Sequence, residues 1–396
     1  MDYSKKTRQE LVDLCKEKKI KGYSNKKKAD LLALLMTNNA PTAVVAVKPA
    51  EKISRLNYIG SKYLLLEWLT TTIQEKTGWT SFQGKTIADL FGGTGIVSYH
   101  FRNLGASVIS NDAELYSSII THAFTRSCYT ETCKKMLEDF QKELGKKKKA
   151  IGFITRHYSP YEANERKFFT VDNAQRIDYL RKRLEEVKPT LTEDEYAFIL
   201  ASILLSADAV SNVPAVYGCY LKNFKAKAKK DLTLTPIHTL TTPPAEGSHT
   251  YQSDVLNQQF LGSFQTDLVY LDPPYNERQY SKNYFPLNII AKAPADLADQ
   301  ELKGKTGIPT DCFLSPFCKK GATVEKAFET LIRELKTQWI FLSYNSESLV
   351  PKDKMLALLK KFGTVSVVER DYKRFKSFEY NDDKEIKEYL FCLKKT

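Results

Sequence analysis

At 396 residues the chain is long enough for one large domain or two to three smaller ones, and it is not a small disulfide-stapled scaffold. Sixty Lys and Arg against 47 Asp and Glu leave a net charge of +13, which favours a polyanionic partner; a merely lysine-rich composition is the competing account. Seven scattered cysteines without a Cys-x-x-Cys pair, and five dispersed histidines, fit a reduced compartment and argue against a zinc site.

The first residues, Met1-Asp2-Tyr3-Ser4-Lys5-Lys6, lack an apolar signal core, and the longest oily run, Ala197 to Leu205, is too short to span a bilayer. The expectation is a soluble protein that stays in the cytoplasm, bacterial and nucleoid-associated or encoded by a virus, with no membrane partner.

Residues 1–38 form a predicted helical module. Thr7 is placed to cap a helix with Leu11, Leu14 and Cys15 on its apolar face, and Ser24 a second with Leu31, Leu32 and Leu35. Lysines crowd the turn around Lys21-Gly22-Tyr23, and the alternative to a ligand-binding role is a solvated helical hairpin. Residues 39–53, with Asn39-Ala40-Pro41, read as a linker.

The main domain is expected to open at Asn57-Tyr58-Ile59-Gly60-Ser61-Lys62, ahead of an amphipathic helix through Leu66, Leu69 and Ile73. Thr86-Ile87-Ala88-Asp89-Leu90-Phe91-Gly92-Gly93-Thr94-Gly95 predicts a strand ending in an acid, then a glycine-rich turn into a helix from Ile96 to about Leu104. A second strand, Ser107 to Ser110, ends at Asn111-Asp112, 23 residues beyond Asp89, which places an acid for ribose hydroxyls. Ser98 stands where a dinucleotide fingerprint needs its third glycine, so a nucleoside without pyrophosphate, such as S-adenosylmethionine, is favoured. A plain strand-to-helix turn is the bland reading.

Residues 125–245 read as a helical insertion, with helices over Tyr161 to Val187 and Leu191 to Ala209. Between Tyr217 and Lys230, Tyr220 and Phe224 alternate with Lys222, Lys225, Lys227, Lys229 and Lys230, the footprint of a nucleic-acid surface or of a helix burying its aromatics. The buried-strand composition of Leu268-Val269-Tyr270-Leu271 then stops at Asp272-Pro273-Pro274-Tyr275, because neither proline continues a ladder. Such a lip offers the Asp272 carboxylate and the Pro273 carbonyl to one amino group, and a flat Tyr275 ring to a planar base. Residues 295–320 look like a mobile excursion; Trp339 to Ser343, Thr364 to Val368 and Tyr389 to Leu393 supply three further strands.

Together, Tyr58-Ile59-Gly60-Ser61-Lys62, Asp89 to Gly95, Asn111-Asp112, Asp272-Pro273-Pro274-Tyr275 and, beyond them, Asn276-Glu277-Arg278-Gln279-Tyr280 and Glu388-Tyr389-Leu390-Phe391 resemble the Dam-like DNA adenine-N(6) methyltransferases of the alpha group. Within that class the likeness is to the FokI-modification-methylase-like branch, over residues 54–396, and residues 1–38 resemble a SAP DNA-binding module.

The resemblance implies a Rossmann-like α/β domain, residues 54–124 and 246–396, with the insertion as target-recognition region. It implies S-adenosylmethionine held by Tyr58, Lys62, Asp89, Phe91, Gly92, Gly93, Gly95, Asp112, Asp254 and Asp272. Catalysis would rest on Asp272, Pro273, Pro274 and Tyr275, with DNA contacts from Lys222, Lys225, Arg278 and Tyr280. The expected reaction is direct methyl displacement onto a flipped adenine in double-stranded DNA, without metal, by a monomer or weak dimer, in a restriction-modification system with a cognate endonuclease. The rivals are an RNA adenine methyltransferase and a non-catalytic DNA-binding protein.

Overall fold

The structure is a computed structural model that describes residues 7–17, 23, 27–28, 30–31, 53–372 and 386–396. By its contacts the chain divides into two units, 1–50 and 51–396. In the first, a helix Arg8–Glu17 opens on a reciprocal cap: Thr7 N donates to Glu10 Oε2 at 2.6 Å, and Glu10 N donates to Thr7 Oγ1 at 3.4 Å. Leu11, Val12, Cys15 and Leu31 are buried together there. The predicted Ser24 cap and most of the second helix lie outside the described residues.

The second unit is built on a seven-stranded sheet. Its strands are β1 Thr86–Asp89, β2 Ser107–Asp112, β3 His249–Gln252, β4 Thr266–Leu271, β7 Thr337–Asn345, β8 Gly363–Tyr372 and β9 Ile386–Lys395, and the short strands β5 Leu302–Lys303 and β6 Ile308–Pro309 pair with each other outside it. The order is β3-β2-β1-β4-β7-β9-β8, with the first five strands parallel and β9 antiparallel to both its neighbours.

The parallel strands read as apolar runs because both faces are covered. Ile87, Val108, Leu268, Tyr270 and Phe341 pack on one side against Leu69, Ile73, Ile96, Val97 and Phe101. Ala88, Ile109, Val269, Leu271, Ile340 and Leu342 pack on the other against Val324, Phe328, Leu331 and Met355. Each fully buried aliphatic or aromatic side chain contributes about 1.5–3 kcal/mol, so this period-2 division fixes which residues emerge at the strand ends.

Between β2 and β3 lie helices Leu115–Thr125, Glu131–Gly145, Phe153–Tyr158, Val171–Val187 and Glu193–Ala209, which share a third core with Phe285–Ala291. Two predicted helices are shorter than expected. Val171–Val187 starts only where Thr170 Oγ1 accepts from Asn173 N, and Glu193–Ala209 where Thr192 and Glu195 close a capping box. The stretch 295–320 is not a bare excursion: it carries β5, β6 and short 3₁₀ turns, and Arg166 donates to the Gly304 and Lys305 carbonyls. Among the described residues no helix is long and apolar enough to cross a membrane.

Candidate active site

The chain leaves β1 toward β2 on one side and later returns to β4 on the other, so the carboxyl ends of β1 and β4 diverge into a cleft. Register sets Asp89 of β1 beside Tyr270 of β4, two residues before Asp272. The cleft encloses about 980 Å³ of space including its open mouth. Into it come Tyr58 and Lys62, Asp89, Phe91 and the Gly92-Gly93 turn, Asp112 and Asp254, and the whole of Asp272-Pro273-Pro274-Tyr275. Tyr280 lines it as well. Gly95, Lys222, Lys225 and Arg278 do not.

The glycine turn is cut to its neighbours. A Cβ on Gly92 would stand 2.5 Å from Thr121 Cγ2, and one on Gly95 2.8 Å from Phe124 Cδ2 at a φ of +71°. Gly93, at φ +52°, donates its N–H to Asp112 Oδ2 at 2.8 Å, and Glu114 N donates to Asp112 Oδ1 at 2.9 Å. Asp112 is thereby aimed by backbone at the end of β2. Asp254 caps its own turn, accepting from Leu256 N at 3.0 Å, while lining the cleft, so the capping and pocket readings of this residue are compatible.

Among the described residues five carboxyl side chains line the cleft, those of Asp89, Asp112, Glu114, Asp254 and Asp272, against one cation, Lys62. Burial pushes the Asp89 carboxyl up to about 7, with Asp272 and Asp112 adding to the rise and the Ser98 hydroxyl, which donates to Oδ2 at 2.8 Å, opposing it. Asp89 Oδ1 is buried without a partner among the described residues. Burial likewise lifts Glu114 to about 8 although the Asn288 amide donates to it at 2.6 Å.

Lys62 is the hub of the lip. Its Nζ lies 2.8 Å from Asp272 Oδ1, 3.6 Å from Glu388 Oε1 and 3.1 Å from the Gly60 carbonyl, with only 4 % of the residue exposed. The Tyr275 hydroxyl lies 2.9 Å from Asp272 Oδ1 and 2.6 Å from Glu388 Oε1, so the two carboxylates share its single proton, and its ring packs edge-on to Tyr344. Burial raises the Asp272 carboxyl above its ordinary range and Lys62 pulls it back. With Oδ1 engaged twice, Oδ2 of Asp272 is the acceptor left for an incoming donor.

Tyr280 belongs to an aromatic wall rather than to the outer surface: its ring centroid is 5.4 Å from that of Tyr58 and 6.0 Å from that of Tyr284. Lys222 and Arg278 are exposed. Lys225 is half-buried and bonds its ammonium to the Val213 carbonyl, which holds its loop together.

Glu388, quoted only within a stretch that carries the resemblance, and Glu114 were not named as site residues by sequence reasoning. For Glu388 a signal existed: on β9 it falls in the buried row with Ile386 and Leu390, where a carboxylate needs a partner. Glu114 follows a strand end like any solvated acid, and its burial depends on Asn288, 174 residues away.

A parallel sheet with an antiparallel strand inserted before its edge, a glycine turn under an acidic cleft and an acid-proline-proline-aromatic lip define a Rossmann-like methyltransferase. Residues 58–358 match the family model of the D12 class N6 adenine-specific DNA methyltransferases, and the chain belongs to that family. It is 38% identical over 344 residues to the type II methyltransferase M.CviAII of Paramecium bursaria Chlorella virus 1, covering 86% of this chain and 99% of that protein. It is also 38% identical to the type II methyltransferase M.NlaIII of Neisseria lactamica, over 86% of this chain and all of that one. Similarity to the type II methyltransferase M.FokI of Planomicrobium okeanokoites is 32% over 354 residues, about half of that longer protein. The chain is an adenine-specific DNA methyltransferase.

Proposed function

We propose that the cleft binds S-adenosylmethionine beside the lip and that a flipped adenine enters over Tyr275. The observation that carries this is the single cavity joining the Gly92-Gly93 turn to the Asp272–Tyr275 lip. The residues suit the donor. An unpartnered Asp89 oxygen and an acidic lining match a ligand with net positive charge.

Tyr58, Lys62, Asp89, Phe91, Asp112 and Asp254 would hold the donor over the Gly92–Gly95 turn. Bound there, it supplies a methyl group on a sulfonium, a strong electrophile. Asp272 Oδ2 and the Pro273 carbonyl accept the two hydrogens of the adenine amine, which frees the nitrogen lone pair from the ring and stabilises the positive charge that builds on it. Lys62 and Tyr275 fix the carboxylate so that no reorientation is needed at the moment of transfer. The amine loses a proton after transfer.

We further propose that the protein is the modification arm of a restriction-modification system, that residues 125–245 choose the target sequence with help from Lys222, Lys225 and Arg278, and that residues 1–38 bind DNA as a SAP-like module. Methyl-labelled donor offered with duplex DNA, RNA and protein tests the reading. Label is expected in duplex DNA as N6-methyladenine and is expected to vanish with Asp272→Ala, whose fold and DNA binding persist. Label in RNA alone, or near-full turnover by the variant, refutes it.

A further inference from the structure

Three large hydrophobic side chains are conspicuously exposed among the described residues: Leu64, Ile151 and Leu314. Leu314 is half exposed, and the residues on either side of it, Phe313 and Ser315, both line the cleft. A single exposed leucine is ordinary on a protein surface; what sets Leu314 apart is that its chain neighbours on both sides line the cleft.

Its backbone is held on both sides. Ser281 Oγ donates to the Phe313 carbonyl, Gln279 Nε2 donates to the Ser315 carbonyl at 3.1 Å, and Ser315 N donates back to Gln279 Oε1 at 2.8 Å. The Cys318 thiol reaches the Arg278 carbonyl at 3.3 Å. These bonds bind the 313–318 segment to residues 278–281, which directly follow the lip. Exposed cations stand along the same two segments, Arg278, Lys282, Lys319 and Lys320, of which Lys320 is paired with Glu277. The rim therefore offers charge for phosphates around one rigidly mounted apolar side chain.

We propose that Leu314 is the wedge that enters the duplex where the target adenine has left it. This rests on the reading that the adenine is extruded into the cleft. Removing a base from the stack leaves an apolar gap, and a leucine filling it offsets part of the unstacking cost and slows the base's return. A clamped loop loses little further entropy on insertion, whereas a mobile one would have to be ordered at that moment.

The test uses the full chain, S-adenosylmethionine and synthetic duplexes carrying the target site, itself mapped by sequencing modified bases in DNA from cells expressing the protein. One duplex pairs the target adenine with thymine; the other sets it opposite an abasic position, so that extrusion costs little. Leu314→Ala is expected to methylate the paired duplex more slowly by about ten- to a hundredfold, equal to about 1.4–2.8 kcal/mol at 1.4 kcal/mol per factor of ten. On the abasic duplex it should recover to within a few-fold of the unsubstituted chain. An unchanged rate on the paired duplex overturns the proposal, and so does an equal loss on both duplexes, which would mark a general role in binding or folding. Asp272→Ala separates the two readings: it should stay inactive on both duplexes, and if it does not, the cleft is not where the adenine reacts.

Discussion

Replacing Lys62 by Met removes the cation that, among the described residues, pairs with both Asp272 and Glu388, the two acids that share the Tyr275 hydroxyl. Methionine fills a similar volume, so the change is chiefly electrostatic. Leaving a buried charge uncompensated costs about 3–5 kcal/mol, and carboxylates escape that cost by taking up a proton. Shared evenly between the two acids, about 2 kcal/mol falls on Asp272, a roughly 30-fold loss of kcat/KM at neutral pH at about 1.36 kcal/mol per factor of ten. The sign follows from the ion pair. Lys62 lowers the Asp272 pKa, so its removal raises it, and the ionised acceptor forms only at higher pH. The assay is kcat/KM for methyl transfer to duplex DNA across about pH 6 to 9.5, which reports groups of the free enzyme. The acid limb of Lys62→Met should lie at higher pH, with part of the activity returning at the alkaline end. A loss by the same factor at every pH, or no loss, refutes the electrostatic role of Lys62.

Tyr275→Phe keeps a ring for stacking but removes the one hydroxyl proton that Asp272 and Glu388 share; a bond to a charged group is worth about 1.5–3 kcal/mol, so kcat should fall by about ten- to a hundredfold with KM for DNA little changed, as steady-state kinetics will show. Glu114 holds its proton more tightly folded than unfolded, its carboxyl rising from 4.5 to about 8, so the native state loses stability as pH climbs through that window. Glu114→Gln should therefore raise the thermal midpoint at pH 8.5 by more than at pH 5, and equal shifts at the two values, read by calorimetry, would contradict the burial argument.

Much of this arrangement was legible because its signals are local. Gly92-Gly93-Thr94-Gly95 and Asp272-Pro273-Pro274-Tyr275 each combine a strand end with residues that force the chain out of the sheet, and parallel strands place such ends on one edge. The last two strands were also legible, with Thr364 to Val368 falling in β8 and Tyr389 to Leu393 in β9. What escaped was set by pairing across long separations. Glu388 reaches Tyr275 across 113 residues because β9 runs antiparallel beside β7 and lays Glu388 opposite Asn345. Tyr280 was expected among the DNA contacts, and its packing against Tyr58 and Tyr284 in the cleft wall was not legible. Lys225, expected among the DNA contacts from its lysine-rich run, also gives one ammonium hydrogen to the Val213 carbonyl, a loop contact that the run does not announce. Propensity carries no information on such partners.

The charge of the chain and the charge of the cleft have opposite signs, and that opposition is testable. A surface at +13 draws in DNA but repels a methyl donor with net positive charge, so the donor site needs acids that the surface field does not cancel. Asp89 and Glu114 are the lining acids whose ionisation falls where it can be switched, at about 7 and about 8, and Asp89 is the one with an oxygen left unpartnered among the described residues. Below about 7 the protonated Asp89 offers the donor a neutral oxygen; above it, a carboxylate. Affinity for S-adenosylmethionine should therefore rise between pH 6 and 8. Affinity for S-adenosylhomocysteine, which lacks the sulfonium charge, should rise less, and Asp89→Asn should flatten the difference. Calorimetric titration of both ligands at the two pH values measures this. Identical slopes for the charged and uncharged ligands would mean that the acidic lining serves the fold and not the donor, and the product would then gain no release advantage from the charge lost on transfer.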